Sequence, residues 1–150
     1  FTHTSYNDYE IIAANLLDGG RRRVSDRIPA YGLFIDPSLG RAGMTEAEAR
    51  ATGRKILAAK LMMSRVGRAL ERSETLGFMK ILVDAESERI LGAGMLGIEA
   101  DEVVQAILGL MYADMSYKVI ERAMYIHPTV SEYLPTLIGN LEPLESDGSS

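Results

Sequence analysis

Two apolar segments joined by a short polar turn constrain the fold more than any other feature of this sequence. Residues 76–83 and 90–98 are mainly apolar, and the turn between them reads Asp-Ala-Glu-Ser-Glu-Arg. Apolar runs that flank a polar turn in this way are typical of an antiparallel hairpin. A helical pattern follows at residues 101–113. Together they predict an α+β fold, in which helices pack on an antiparallel sheet.

The helix predicted at residues 101–113 is apolar on two faces. Such a helix has more surface to bury than a small sheet can cover. We therefore favour a helix with one face in the core and the other at a subunit interface, and a central core helix is the alternative. The first stripe consists of Val104, Ile107, Leu108, Met111 and Met115, and the second of Val103, Ala106, Leu110 and Ala113.

The N-terminal part of the chain predicts a helix followed by a linker. Apolar residues recur at helical spacing before Gly19-Gly20, which ends the helix, and Asn7 or Asp8 is available as its N-cap. Residues 21–29 are mainly polar, and we interpret them as the linker.

The remaining pattern predicts the order β-α-β-β-β-α-α-α after the linker. The strands at both arms of the hairpin are the clearest of these elements, because each is bounded by turn residues. The other predicted elements are a strand at 31–35, a helix from a Thr45–Glu48 capping box through Arg50, a strand at 55–63, a helical or irregular segment at 66–72, a helix capped by Ser116 to Arg122, and a helix from Pro128 to Leu137.

Charge and composition exclude several classes of function. The 16 basic and 21 acidic residues give a net charge of −5, whereas general nucleic-acid binding requires clustered positive charge. Without cysteine the chain has no disulfide and no thiolate ligand, and two histidines alone do not predict a zinc site. No run approaches the roughly 18–20 apolar residues of a membrane span. We expect a cytoplasmic domain without metal, nucleic-acid or membrane partners.

The segment Gly92-Ala93-Gly94-Met95-Leu96-Gly97 matches the G-x-G-x-x-G pattern of dinucleotide-binding sites. In those sites the first glycine lies in the turn between a parallel strand and a helix. Here the glycines lie inside the second arm of the predicted hairpin, where glycine usually allows a neighbouring segment to approach closely. We therefore reject nucleotide binding through this pattern.

The segment Tyr-Ile-His-Pro-Thr-Val-Ser-Glu at residues 125–132 carries a histidine and a glutamate. If Pro128 opens a helix, Glu132 lies in its second turn, and its carboxylate can reach one imidazole nitrogen of His127. Such a contact fixes the tautomer and favours the protonated ring, which suits general acid/base catalysis. A histidine at a helix start beside an ordinary surface glutamate is the alternative, and the spacing alone slightly favours it.

His-Pro-Thr-x-Ser-Glu before a C-terminal helix resembles the C-terminal signature of the flavin-dependent pyridine nucleotide-disulfide oxidoreductases. Glutathione reductase, lipoamide dehydrogenase and mercuric reductase-like enzymes belong to this family. Residues 1–17 resemble the last segment of the family's FAD domain. The resemblance implies the dimerisation-domain fold of FAD/NAD-linked reductases, and the other segments that carry it are residues 29–37, 43–49, 77–80, 90–93 and 99–102.

The resemblance implies a composite active site in a homodimer. His127 and Glu132 match the family's acid/base pair, which serves the redox-active cysteines of the opposite subunit. In the family, the backbone at the position of His127-Pro128 approaches the partner's flavin, often through a cis peptide bond. Phe1, Thr2 and His3 match the peptide near the flavin pyrimidine, at the start of a helix. FAD and NAD(P)H are then the expected cofactors of the full-length enzyme.

The resemblance also implies a domain map. Residues 1–20 end the FAD domain, 21–29 form the linker, 30–141 form the dimerisation domain, and 142–150 form a disordered tail. The FAD and NAD(P) domains and the redox cysteines are expected upstream of Phe1, so this chain alone should bind neither cofactor well and should be inactive. The chain lacks the paired C-terminal cysteine of mercuric reductases, which argues against mercuric ion as the substrate.

Two other classes of function remain as alternatives. The chain can be a non-catalytic homodimerisation module, in which the histidine segment is only a helix start. It can also be a small-ligand-binding α+β domain, which we expect only if a deep apolar pocket exists without a two-fold contact. The sequence identifies neither the electron acceptor nor the choice between NADH and NADPH.

Overall fold

One antiparallel sheet of six strands organises residues 1–145, which are the residues that this computed structural model describes. Along the chain the strands are β1 (Ala30–Leu33), β2 (Leu39–Gly43), β3 (Ile56–Met62), β4 (Phe78–Asp84), β5 (Ile90–Leu96) and β6 (Glu142–Pro143). They lie side by side in the order β1-β2-β5-β4-β3-β6, and every neighbouring pair is antiparallel.

Helices connect the strands and cover the sheet, as the α+β prediction requires. In the described chain no helix is both long enough and apolar enough to cross a lipid bilayer. The α-helices are α1 (Thr2–Leu17), α2 (Glu46–Ala51), α3 (Gly67–Glu71), α4 (Ala100–Tyr112), α5 (Lys118–Arg122) and α6 (Leu134–Ile138), and the 3-10 helices are Val24–Asp26, Met63–Arg65 and Ser131–Tyr133.

The predicted hairpin is confirmed as β4 and β5, which pair around the turn at residues 85–89. Asp84 closes this turn and is buried. Its Oδ1 accepts the N–H groups of Glu86 (2.9 Å) and Ser87 (3.2 Å), and its Oδ2 accepts Nη1 of Arg54 (3.0 Å). The two backbone N–H groups are the main reason that the pKa of Asp84 lies below its ordinary value.

The sequence pattern does not predict two of the strands, β2 and β6. β2 reads Leu-Gly-Arg-Ala-Gly, a composition of low β propensity. It forms because it lies between β1 and β5, which satisfy its N–H and C=O groups. β6 pairs with Leu57 and Ala58 at the edge of the sheet. The predicted disordered tail at 142–150 is therefore wrong in its first two residues, and 146–150 lie outside the described residues.

α1 starts well before Asn7 and Asp8, the two predicted N-caps, so this prediction is wrong. Both side chains bind Arg27 instead. Oδ1 of Asn7 accepts Nε of Arg27 at 2.9 Å, and Asp8 forms an ion pair with the same guanidinium. These contacts attach the predicted linker at residues 21–29 to α1. The predicted helix end is confirmed, since Gly19 adopts a φ of +66° just after the last turn.

α4 packs on β2 and β5, and one of its faces stays open to solvent. The assignment of Val103 to an interface stripe is wrong, because Val103 belongs to the core cluster that also contains Val130. Leu110 of the same stripe is partly buried against this core, whereas Ala106 and Ala113 are exposed as predicted, and Tyr112 beside them is 56% exposed. The buried residues of α4 are Ala100, Val103, Val104 and Ile107.

α2 covers part of the opposite face of the sheet. Its start is the predicted capping box: Oγ1 of Thr45 accepts the N–H of Glu48 at 3.1 Å, and Oε2 of Glu48 accepts the N–H of Thr45 at 2.7 Å. Ala49 is buried together with Leu82 of β4. Because successive strand residues alternate between faces, the neighbours of Leu82 belong to the core under α4.

The G-x-G-x-x-G segment lies on β5 and the bend that follows it, as predicted, and not in a strand-to-helix turn of a parallel sheet. A Cβ atom on Gly92 would lie 2.1 Å from the carbonyl oxygen of Met44. Gly94 has no such neighbour within 4 Å. The first glycine therefore permits close packing between β5 and the start of α2.

Candidate functional site

His127 lies between α5 and the 3-10 helix Ser131–Tyr133. The predicted helix start at Pro128 is wrong, because helical structure begins only at Ser131, directly after Val130. Oγ1 of Thr129, two residues before this helix, accepts the N–H of Glu132 at 3.2 Å. The His127–Pro128 peptide bond is cis, as the family resemblance implies.

The imidazole of His127 and the carboxylate of Glu132 are in direct contact. Nδ1 lies 2.8 Å from Oε2 and 3.1 Å from Oε1 of Glu132. The histidine side chain is 77% exposed, whereas the glutamate side chain is 18% exposed. A carboxylate can only accept, so Nδ1 is the donor, and the neutral ring then carries its proton on Nδ1.

Glu132 is held in place by a second capping box. The N–H of Thr129 donates to Oε1 of Glu132 at 3.4 Å, and the Thr129 hydroxyl donates to the carbonyl oxygen of Ile126 at 2.6 Å. Thr-x-x-Glu at 129–132 repeats the pattern of Thr45–Glu48. That repeat is the sequence signal for Thr129, which the reasoning from the histidine and glutamate alone missed.

This arrangement leaves one ring nitrogen able to exchange a proton. Within residues 1–145 no hydrogen-bond partner contacts Nε2 of His127. When the ring is protonated at Nε2, the carboxylate of Glu132 stabilises its positive charge. Tyr125 is close in sequence, but burial raises the pKa of its phenol, so it stays neutral. The geometry thus suits His127 to general acid/base catalysis.

A third side chain, Arg68 of α3, reaches the same segment. Its Nη2 donates to the carbonyl oxygen of Pro128 at 2.9 Å. Its Nη1 lies 3.2 Å from Oε2 of Glu71, one turn along the same helix. Arg68 and Pro128 are 60 residues apart, so no local sequence pattern indicates this contact.

Phe1, Thr2 and His3 form the start of α1. The Phe1 ring stacks on the ring of Tyr31, with centroids 5.6 Å apart and planes 5° apart. Nε2 of His3 donates to the carbonyl oxygen of Ala30 at 2.9 Å. These contacts fix the helix start against β1, and Phe1 and His3 line a cleft of about 610 Å³ beside it.

The structure does not join this N-terminal group to His127 within one protomer. No hydrogen bond or ring contact between the two groups is present in residues 1–145, and Phe1 and Pro128 line different clefts. In the same part of the chain, no cluster of three or more His, Asp or Glu side chains could hold a metal ion.

Comparison with known families identifies the chain. The model of the pyridine nucleotide-disulphide oxidoreductase dimerisation domain matches residues 29–138, which is most of the described sheet and its helices. The chain belongs to this family. The predicted resemblance is thereby confirmed for the dimerisation domain, and its relatives are oxidoreductases.

Curated relatives of this dimerisation domain include a probable pyridine nucleotide-disulfide oxidoreductase, RclA of Escherichia coli, which is 35% identical over 139 residues. That match covers 91% of this chain and 31% of the relative. A dihydrolipoyl dehydrogenase of Bacillus subtilis is 35% identical over 105 residues, which cover 70% of this chain and 22% of that enzyme. The chain spans about a third or less of these relatives' length.

Solved structures agree with the assignment of this dimerisation domain. The HOCl-induced flavoprotein disulfide reductase RclA from Escherichia coli superposes with a TM-score of 0.87 at 34% identity, over 93% of this chain and 32% of that one. LpdA from Mycobacterium tuberculosis gives a TM-score of 0.74 at 17% identity over 85% of this chain and 28% of that one, which shows the fold alone. The predicted dimerisation-domain fold is confirmed.

Proposed function

We propose that this dimerisation domain belongs to an FAD- and NAD(P)H-dependent disulfide oxidoreductase and supplies His127 and Glu132 as the acid/base pair for the redox dithiol of the partner subunit. The observation that supports this proposal is the pair itself. Glu132 binds one ring nitrogen of His127, while the side chain of His127 is 77% exposed at the surface of the protomer. This exposure leaves Nε2 accessible to a group of another subunit.

The proposed chemistry needs one proton transfer, from a thiol to His127 of this chain. Nε2 of His127 takes the proton of a thiol, and the carboxylate of Glu132 stabilises the resulting imidazolium. The imidazolium in turn stabilises the thiolate by its charge. In the reverse direction the same nitrogen returns the proton to the leaving thiolate.

The start of α1 fits the polar edge of a flavin. Phe1 provides no side-chain cap, so the first N–H groups of this 16-residue helix can donate to a ligand oxygen. We propose that Phe1, Thr2 and His3 contact FAD of their own subunit, and that His127-Pro128 contacts FAD of the partner. When bound, FAD carries electrons between NAD(P)H and the dithiol.

A homodimer is the expected assembly, because exposed apolar side chains lie just before His127. Met124 is 98% exposed and Ile126 is 79% exposed, and both lie within three residues of His127. The other surface in this proposal is the outer face of α4, whose exposed residues are Glu102, Gln105, Ala106, Gly109 and Tyr112, together with Ala113 just after the helix. A cytoplasmic location, upstream FAD and NAD(P) domains, and the absence of nucleic-acid and membrane partners stay predictions.

The deciding experiment separates the two half-reactions of the full-length enzyme that contains this domain. We expect His127→Ala to slow the thiol-dependent half-reaction by about 10²-fold or more, because general acid/base catalysis contributes about that much. The rate of flavin reduction by NAD(P)H should stay within about twofold of the wild-type rate, because this step does not remove the proton of the thiol. Rapid-mixing absorbance measurements follow both steps, and an equal loss in both contradicts the proposal.

The alternatives make different predictions for the same proteins. A non-catalytic homodimerisation module predicts that His127→Ala leaves both half-reactions unchanged. A small-ligand-binding domain predicts saturable binding by the 150-residue chain alone, in the cleft beside Phe1. We expect titration of this chain with FAD or NAD(P)H to show no such binding, because the family binds these cofactors with domains that this chain does not contain.

A further inference from the structure

The segment that carries His127 has one hydrogen bond to a distant part of the fold. In the described chain, the other hydrogen bonds of residues 124–132 join positions no more than five apart. The exception is the bond from Nη2 of Arg68 to the carbonyl oxygen of Pro128, at 2.9 Å. This bond therefore connects the segment to α3.

The donor has a second partner on its own helix. Arg68 is 36% exposed at its side chain, and Nη1 of the same guanidinium binds Glu71. Its neighbours Val66 and Ala69 are fully buried, which fixes α3 against the core. A planar guanidinium can bind this carboxylate through one nitrogen and the Pro128 carbonyl through another.

The acceptor is next to the histidine. Apolar contacts anchor the segment at Val130, which is 3% exposed, and at Tyr125, which is partly buried against the core, whereas the side chains of Met124 and Ile126 are exposed. These apolar contacts do not set the orientation of the peptide group at Pro128, because apolar contact is non-directional. A hydrogen bond to the Pro128 carbonyl does set it.

We propose that Arg68 is a positioning residue for the His127–Glu132 pair. By binding the Pro128 carbonyl it holds the backbone on the C-terminal side of His127, and so keeps Nδ1 within reach of Glu132. The consequence of this hydrogen bond for catalysis rests on the proposed function, whereas its effect on the orientation of the His127 ring does not.

The test is the tautomer of His127, read from its ring ¹⁵N shifts in the 150-residue chain at a pH where the ring is neutral. Arg68→Met keeps a long, unbranched side chain but removes the hydrogen-bond donor. In this variant we expect the ratio of the Nδ1–H to the Nε2–H tautomer to fall about threefold to tenfold, which corresponds to the free energy of one hydrogen bond. Arg68→Lys should recover part of the ratio, since an ammonium can still donate.

Arg72 provides the matched control. It lies just after α3, pairs with Glu74 and is 56% exposed, and it makes no hydrogen bond to residues 124–132 in the described chain. Arg72→Met should leave the tautomer ratio unchanged. A folded Arg68→Met protein with the wild-type ratio overturns the proposal, and so does an equal change in Arg72→Met.

A measurement on the unmodified chain covers the case in which Arg68→Met does not fold. The guanidinium protons of Arg68 should exchange with water more slowly than those of Arg72, because two acceptors hold them. Equally fast exchange at both arginines overturns the proposal. In the full-length enzyme, a changed tautomer with unchanged thiol turnover contradicts the proposed function but leaves the positioning role of Arg68 standing.

Discussion

The Glu132 carboxylate has two hydrogen-bonding roles at once. It accepts from Nδ1 of His127, and it accepts from the N–H of Thr129 at the start of the following helix. A substitution at Glu132 therefore changes both the orientation of the ring and the stability of the cap. The two effects can be compared because the Thr129 hydroxyl makes hydrogen bonds to the backbone and none to the ring.

In the full-length enzyme, Glu132→Ala should slow the thiol-dependent half-reaction less than His127→Ala does. The glutamate orients the base and stabilises its charge but does not itself take the proton from the thiol. Rapid-mixing kinetics of both variants provide the comparison. A larger loss for Glu132→Ala than for His127→Ala would contradict the assigned roles.

Thr129→Ala is the control for the cap. It should lower the free energy of unfolding of the chain by about 1 kcal/mol, the usual value of a helix cap. Thr129→Ser, which keeps the hydroxyl, should lie close to the wild type. Urea unfolding followed by circular dichroism measures the free energy of unfolding of both variants. If Thr129→Ala slows the thiol-dependent half-reaction as much as Glu132→Ala does, the loss in Glu132→Ala comes from the cap and not from the orientation of His127.

Asp84 gives the clearest expected dependence of stability on pH. Backbone N–H groups lower its pKa in the folded chain, so its contribution is present above the unfolded-state value near 3.8 and is lost as the pH falls through the folded-state pKa. At pH 7, Asp84→Asn should lower the free energy of unfolding by about 2 kcal/mol. That difference should shrink below about pH 4.

Urea unfolding of Asp84→Asn and of the wild type at several pH values measures this difference. Glu86→Gln is the matched control in the same turn, because the side chains of Glu86 and its partner Lys55 are both largely exposed. Such a surface pair contributes about 0–1 kcal/mol. A pH-independent deficit in Asp84→Asn would show that the carboxylate charge does not stabilise the turn.

Among the elements, β5 contains two glycines in equivalent positions with different surroundings. Both face the side of the sheet on which α2 lies, two residues apart. We expect Gly92→Ala to destabilise the chain by about 1–3 kcal/mol, because a Cβ there would overlap the Met44 carbonyl. Gly94→Ala should be neutral or stabilising by about 0.4–1 kcal/mol, because its surroundings are open. Thermal unfolding compares the two, and equal effects would contradict the packing explanation.

The sequence predicts those elements whose formation depends on residues close together in the chain. The hairpin follows from two apolar runs and a polar turn, and α2 follows from its capping box at Thr45. β2 could not be predicted in the same way, since its glycines and arginine form a strand only between two others. At the site, His127 and Glu132 are five residues apart and were within reach of pattern reasoning, whereas Arg68 is distant in sequence and was not.

For the whole molecule, the outer face of α4 and the His127 segment predict a two-fold assembly. We expect the 150-residue chain to sediment as a dimer at micromolar concentrations. Ala106→Arg should convert it to a monomer without loss of helical circular dichroism, because Ala106 is exposed in the protomer and a charged side chain cannot be buried unpaired in an interface.

Ala51→Arg is the control, since Ala51 is also an exposed helical alanine but lies at the end of α2. It should leave the dimer intact. A wild-type monomer, or an equal effect of both substitutions, would mean that the outer face of α4 is not the interface.

The exposed ring of His127 has a consequence for genetics. If each ring serves the dithiol of the other protomer, a mixed dimer of His127→Ala with a variant lacking the redox cysteines contains one complete site and one doubly defective site. Two inactive alleles expressed together should then complement each other, and random pairing should restore about a quarter of wild-type turnover. Sites formed within single protomers would restore none.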